Sequence, residues 1–539
     1  MKVFRIRNSL SAKRNIFAKA FALFATVIVI IAVAVIPSFA DSNADDHESG
    51  NKDLNQFLIT TPDSDPDLEC PSNLNCQFIA GQSSHSNTDR TRASSGPQFK
   101  YIVIHDTEEK LARTLDLIQS PDYGASWNYT ADVSGVYQHF NLNDDLCYHA
   151  GNFYFNMHAI GIENIGFVGG GGWYTDKIYK QTADLVRYLA KKYNIPLDKG
   201  HIIGHENIPG IDKSYTQNVH KDPGPFWDWN KFFEYLGEPF ANGKHPSHDF
   251  SAKQFALINP TFSKNLNTIT NASFYEYSNP DIFVQNYNYA AAPTSFTYVY
   301  SQPNLNSPLA NDPAYTSPDR PINTDAESVP GRAYSGDIVY IKEVKGDWLK
   351  IQWAGNNSDG DGWIYNPKDK PVAVHIATKS AALKPGLKSA STYGRAYPDD
   401  AAYSGTGVNP QPRSPLEYEL KPGIEYPIAD MNVVSDYYSS TDKKEIVGNN
   451  KYYAIYLGHH FVFINADDVI VKDNPLPKPA PNPGPNPNPE PYPDFGINVG
   501  FLTLLDSLLV LAVIIIVWQR HRIKVVRLKQ RIKKRITTT

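Results

Sequence analysis

Cysteine is nearly absent, with three residues in a chain of 539. Three thiols cannot build the disulfide framework of a small secreted domain. Cys70 and Cys76 could close one short loop in an oxidising compartment, which leaves Cys147 single. Acidic residues are missing from both ends: residues 1–40 carry six Lys/Arg and residues 519–539 carry nine, with no Asp or Glu in either stretch. Those 15 of the 51 basic residues leave 36 against 56 acidic ones, so the net charge of −5 conceals a middle near −20. Clustered positive charge on a folded body is lacking, which argues against nucleic acid as a partner. A basic–acidic–basic layout suits a chain with both ends at membranes and an acidic body outside the cell.

What is present divides the chain into modules. Six basic residues precede the apolar run Ala20–Ile36, and Ser38-Phe39-Ala40 offers small residues for cleavage, so 1–40 reads as an export signal. An uncleaved anchor is the alternative. Residues 41–95 are polar and acidic and read as a linker that need not fold. Near the other end, proline at almost every second position of NPLPKPAPNPGPNPNPEPYPD makes 473–496 a semi-rigid polyproline II spacer. Ile497–Trp518 is long enough to cross about 30 Å of hydrocarbon. The basic tail 519–539 then places the C-terminus in the cytoplasm. The expected location is therefore the cell membrane, single-pass, with the body facing outward.

Between these ends, residues 96–238 mix strand-like runs with a helix. Thr175 can cap a segment in which Ile178, Thr182, Leu185, Val186 and Leu189 recur at helical spacing. Tyr101–Ile104 and His201–Ile203 read as short buried strands, so this region is α/β. Residues 239–285 read as a linker. Residues 286–376 lack any helical period. Gly336–Ile341, Asp347–Ile351 and Gly362–Tyr365 instead alternate in hydrophobicity between turn residues, the pattern of a small antiparallel barrel. This stretch resembles the bacterial SH3-like wall-binding domains. Residues 377–472 echo it through Tyr452–Leu457, a turn at Gly458-His459-His460, and Phe461–Asn465. An Arg-Ala-Tyr tripeptide also recurs, at Arg332 and Arg395.

Four segments of 96–238 belong together and offer donor types that a metal site would use: Tyr101–His105, Gly161–Glu163, Gly204–Glu206 and His220–Pro225. Catalytic zinc takes three protein ligands from distant parts of a chain and leaves a fourth position open. His105 and His205 each follow a strand, and Asp222 sits in a turn stiffened by Pro223 and Pro225. Singly, each has an ordinary reading as a strand-end His, a surface acid or an Asp-Pro-Gly turn. His205-Glu206 also begins like a zinc-protease helix, but Pro209 stands where the second His would be. Cys147 reads as a small buried residue, since no motif places a base beside it.

In order and wording, residues 98–232 resemble the type 2 N-acetylmuramoyl-L-alanine amidases, which share the fold of peptidoglycan-recognition proteins. The likeness includes YIVIHDT (101–107), YHAGN (148–152), AIGIEN (159–164), KKYNIP (191–196), HIIGHENIPG (201–210) and HKDPGPFWDW (220–229). It implies an α/β zinc amidase domain, with a mixed central sheet and flanking helices. The SH3-like barrels and one C-terminal transmembrane helix would follow. It places Zn2+ on His105, His205 and Asp222, the acid/base on Glu163, and a second catalytic group on His220, protonated to share the oxyanion. His149 is expected in the groove against substrate. The implied reaction is hydrolysis of the amide between MurNAc and L-alanine, with peptidoglycan as partner and the membrane reached through the C-terminal helix. A peptidoglycan-binding receptor without turnover is the alternative, though the retained Asp222 favours an enzyme. The sequence departs from the family at Ser126-Trp127-Asn128-Tyr129 and in the longer stretch Ile211–Val219.

Overall fold

The structure is a computed structural model that describes residues 59–60, 68–82, 99–143, 145–213, 220–241, 244–274, 285–314, 322–354, 360–439 and 441–477. The expected signal, most of the spacer, the membrane span and the basic tail lie outside these residues. Among the described residues, no helix is long and apolar enough to cross a membrane.

The α/β region, with the segment before it, is built on a mixed seven-stranded sheet. Its strands are β1 (Ile59–Thr60), β2 (Cys76–Ile79), β3 (Tyr101–Asp106), β4 (Tyr129–Ala131), β5 (Val136–Gln138), β6 (Ala159–Asn164) and β7 (Ile202–Gly204). Their order is β1-β2-β5-β4-β6-β3-β7, with β4, β6, β3 and β7 parallel at one end. Parallel strands are covered on both faces, and β3 accordingly reads as a continuous buried run. The helices are α1 (Leu111–Ile118), α2 (Phe153–His158), α3 (Asp176–Tyr193) and α4 (Trp229–Leu236). In α3 the five residues at helical spacing are all buried, Thr175 is the N-cap, and Asn194 ends the helix in the left-handed conformation.

Two stretches read as linkers contain sheet. Within 41–95, β2 pairs with β5, Cys70 and Cys76 form a disulfide, and Tyr129 Oη donates to the Glu69 carbonyl at 2.8 Å. This segment folds because it completes an edge of the sheet, a long-range pairing invisible in its polar composition. Within 239–285 lies β8 (Phe255–Ile258), four buried residues, and the start of a hairpin from β9 (Leu266–Phe274) to β10 (Gln285–Pro293).

Strand β8 belongs to an antiparallel sheet with β11 (Phe296–Tyr300), β12 (Arg332–Tyr334), β13 (Ile338–Lys345), β14 (Trp348–Gln352), β15 (Asp361–Tyr365) and β16 (Ala373–His375). The order is β12-β11-β15-β14-β13-β8-β16. The next region supplies β17 (Thr378–Leu383), β18 (Ala390–Tyr393), β19 (Pro415–Leu420), β20 (Glu425–Val433), a hairpin of β21 (Asp436–Ser439) and β22 (Lys444–Val447), then β23 (Tyr452–Leu457), β24 (His460–Asn465) and β25 (Val469–Asn474). Without that hairpin, its order β19-β18-β24-β23-β20-β17-β25 repeats the first sheet strand for strand. The two regions are therefore tandem repeats, each with one inserted hairpin. The tripeptide echo is not part of that equivalence: Arg332 lies in β12, whereas Arg395 follows β18, the counterpart of β11.

The repeats do not hang free. One apolar cluster joins Ile102, Ile160 and Leu185 of the α/β region to Phe296, Tyr298 and Tyr334 of the first repeat. Another joins Tyr101, Val103 and Phe155 to Tyr438, Tyr456 and Phe463 of the second.

Candidate metal centre

Sheet register brings the site together. His105 on β3 stands directly opposite Glu163 on β6, and Ile104 opposite Gly204 on β7. One step further, His205 comes beside His105. Register neighbours project to the same face, so Glu163, His105 and His205 form a row across three parallel strand ends. This is the carboxyl edge, where open α/β sheets place their sites. His205 opens a three-residue 3-10 turn, His205–Asn207, and no helix follows it, as Pro209 requires.

Asp222 reaches the row from a loop. Its carbonyl accepts from Glu206 N at 3.0 Å, and the Pro225 carbonyl accepts from Ser295 N of the first repeat at 3.3 Å. Gly224 turns this loop at φ +82°, and a Cβ there would stand 2.8 Å from Val168. Nδ1 of His105 then lies 3.0 Å from Asp222 Oδ2 and 3.0 Å from His205 Nδ1, while His205 Nδ1 lies 3.1 Å from Asp222 Oδ1.

These spacings test whether zinc fits. Bonds of about 2.0–2.2 Å at tetrahedral angles put ligand atoms about 3.3 Å apart, close to what the three side chains already hold. Their protonation also suits a cation. Burial pushes the His205 pKa down, toward the neutral imidazole that binds metal. Burial would raise Asp222, but His205 and His105 outweigh it and hold the carboxylate well below its usual range.

Glu163 differs. Burial, followed by the charges of Asp222 and Glu108, lifts its pKa well above the usual carboxylate value, and its Oε2 has no hydrogen-bond partner among the described residues. A buried carboxyl whose pKa is raised holds a proton more readily than an exposed one, a bias that general acid–base work draws on.

His220 sits at the mouth with its side chain 53% exposed, stacked on His205 at 3.8 Å between ring centroids. His205 and partial burial press its pKa down to about 4. That shift favours a neutral ring over the protonated His220 expected from the sequence. Gly151, at φ +62°, passes beneath it.

His149 is buried, with Nδ1 3.0 Å from Nε2 of His105, so it lies behind a ligand rather than along an open groove. Gly161 makes room for it, because a Cβ there would come within 2.6 Å of the His149 ring. The departures from the family wording are structural: Asn128 Oδ1 accepts from Gly161 N at 2.8 Å and its Nδ2 meets Cys147 Sγ at 3.2 Å, while Trp127 is buried. Of the longer stretch, residues 214–219 lie outside those described.

Sequence reading passed over Glu108, three residues beyond His105. Burial raises its pKa to about 7 against the pull of Lys221, and its Oε1 accepts from Val168 N at 3.0 Å. An acid following a buried strand end was the available signal.

Residues 95–225 match the family model described as N-acetylmuramoyl-L-alanine amidase. N-acetylmuramoyl-L-alanine amidase CwlH of Bacillus subtilis (strain 168) is 31% identical over 186 residues, covering 32% of this chain and 68% of CwlH. Among solved structures, a selenomethionine derivative of AmpD is 20% identical, covering 32% of this chain and 98% of that one, with a TM-score of 0.23. The amidase AmiD from E. coli is 18% identical, covering 30% and 69%, with a TM-score of 0.22.

Proposed function

The chain belongs to the type 2 N-acetylmuramoyl-L-alanine amidases, and from that membership we propose that it hydrolyses the amide between MurNAc and L-alanine of peptidoglycan with zinc at His105, His205 and Asp222. One observation carries this reading: three donors of the types zinc takes converge at 3.0–3.1 Å beside a buried carboxyl whose pKa is raised. Zinc bound there supplies Lewis acidity, polarising a carbonyl and acidifying water.

The chain's own groups do the rest. Glu163 takes the proton of the attacking water and delivers it to the departing amine of L-alanine, acting first as base and then as acid. His220, neutral and at the mouth, offers a ring N–H to the oxygen that gains charge; removing one such donor typically costs about 10²–10³ in rate. His149 fixes the ring of His105 so that Nδ1 faces Asp222. The two repeats would hold the enzyme against the wall, and the C-terminal span would tether it to the cell membrane with this body outside.

Digestion of purified peptidoglycan followed by mass spectrometry tests the reaction. The expected products are intact glycan MurNAc and stem peptides with a free L-alanine amine, both lost in His105→Ala. Cleavage inside the stem peptide would sink the assignment of the bond.

A further inference from the structure

We propose that Asp312, His459 and His460 form a second metal site, binding a divalent cation of zinc's class and fastening the two repeats to each other and to the turn that carries His205.

The three come from different places. Asp312 lies between β11 and β12 of the first repeat, while His459 and His460 are the turn and first residue of the β23–β24 hairpin of the second. All three are at most 2% exposed, and one ligand atom from each lies within 4.8 Å of the other two. His459 Nδ1 stands 4.0 Å from Asp312 Oδ2, and the two imidazole rings are 3.7 Å apart between centroids. Successive strand residues normally point to opposite faces. The hairpin turn at Gly458, with φ +62°, is what sets these two rings side by side. A Cβ on Gly458 would meet Ala354 of the first repeat at 3.0 Å, so the turn is pressed against that repeat.

Two imidazoles and one carboxylate form a borderline donor set that suits zinc. Both rings are buried away from water, and a metal takes an imidazole through a nitrogen without its proton. Asp312 is oriented from behind: its Oδ1 accepts from Tyr418 Oη of the second repeat at 2.7 Å and from Ala314 N at 2.9 Å, which leaves Oδ2 toward His459. Drawing the donors to about 3.3 Å needs ring rotations on the order of an ångström.

Such burial admits no substrate, so the role is structural. The His459 carbonyl accepts from Asn207 Nδ2 at 2.8 Å, and Asn207 closes the turn that begins at His205. A cation at the joint would thus hold the wall-binding repeats and a catalytic ligand in one frame.

The test is metal stoichiometry on the full-length chain, loaded with zinc, desalted and counted by plasma mass spectrometry. Wild type should hold two zinc ions per chain. Asp312→Asn, which keeps the size and the Tyr418 contact, and His460→Gln should each hold one and still cut peptidoglycan. His105→Ala should hold one and not cut. A single wild-type ion that His105→Ala loses and Asp312→Asn keeps, or two ions retained in Asp312→Asn and His460→Gln, would overturn the proposal. A single wild-type ion that His105→Ala keeps and Asp312→Asn loses would leave the joint standing and remove the catalytic zinc. Chelation should lower Tm more in wild type than in Asp312→Asn; equal shifts would count against the joint.

Discussion

At the residue scale, Glu163 shows how a catalytic group is held at the expense of stability. Its raised pKa means that the ionised form is disfavoured in the folded state. Below the ordinary carboxylate value both states carry the proton and nothing is lost. Above it the unfolded chain ionises more readily, so stability falls as pH rises. A neutral isostere removes that penalty. Glu163→Gln is therefore expected to cut turnover by about 10²–10⁴ while keeping metal content and raising Tm at neutral pH. Paired assays of muropeptide release, zinc content and calorimetry check it, and a lower Tm would contradict the account. The neighbouring acid Glu206 was set aside in sequence because Pro209 forbids the protease helix. The structure agrees, burying its carboxyl inside the fold.

At the scale of elements, legibility followed locality. Strands β3 and β7 and helix α3 could be read because their apolar periods are local and strong. The four metal-site segments were legible through their wording, and register explains why they must meet. Strands β2 and β8 were not legible. Each is four residues long in a stretch read as linker, and each is ordered by partners far away in the chain, β5 for one and β13 and β16 for the other. The role of His149 was unreadable for a similar reason, since it depends on the space left by Gly161 on β6. Gly161→Ala would drive the His149 ring away from His105. Losing such a supporting contact typically weakens metal binding or activity about 10–100-fold. Competition with a zinc chelator measures the affinity. A variant that binds zinc as wild type does would show that His149 merely packs.

At the scale of the whole molecule, the beads-on-a-string picture that composition suggests fails, because the catalytic region shares buried clusters with both repeats. A chain ending at residue 376 would uncover Phe155, Tyr101 and the ring of His158, whose Nε2 bonds Asp436 Oδ1 at 2.7 Å in the second repeat. Stripped of that cover it should melt at lower temperature and bind a hydrophobic dye; an unchanged Tm would show that the catalytic region is self-sufficient.

The same interface should respond to pH through His201. It lies 2.7 Å from Asp198 Oδ1 and 3.7 Å from Asp430 Oδ2 of the second repeat. Burial opposes its charge, but the two carboxylates prevail and raise its pKa from 6.5 to about 9. Below pH 6.5 folded and unfolded chains are both protonated and the contribution is complete. Between 6.5 and about 9 the unfolded chain loses the proton first, so stability declines by about 1.4 kcal/mol for each pH unit. The total is at most about 3.4 kcal/mol, less because Asp198 is half exposed to screening water. Thermal melts of wild type and His201→Gln between pH 6 and 10 isolate it. The wild-type Tm should fall toward that of the variant as pH approaches 9, and parallel curves would remove His201 from the interface.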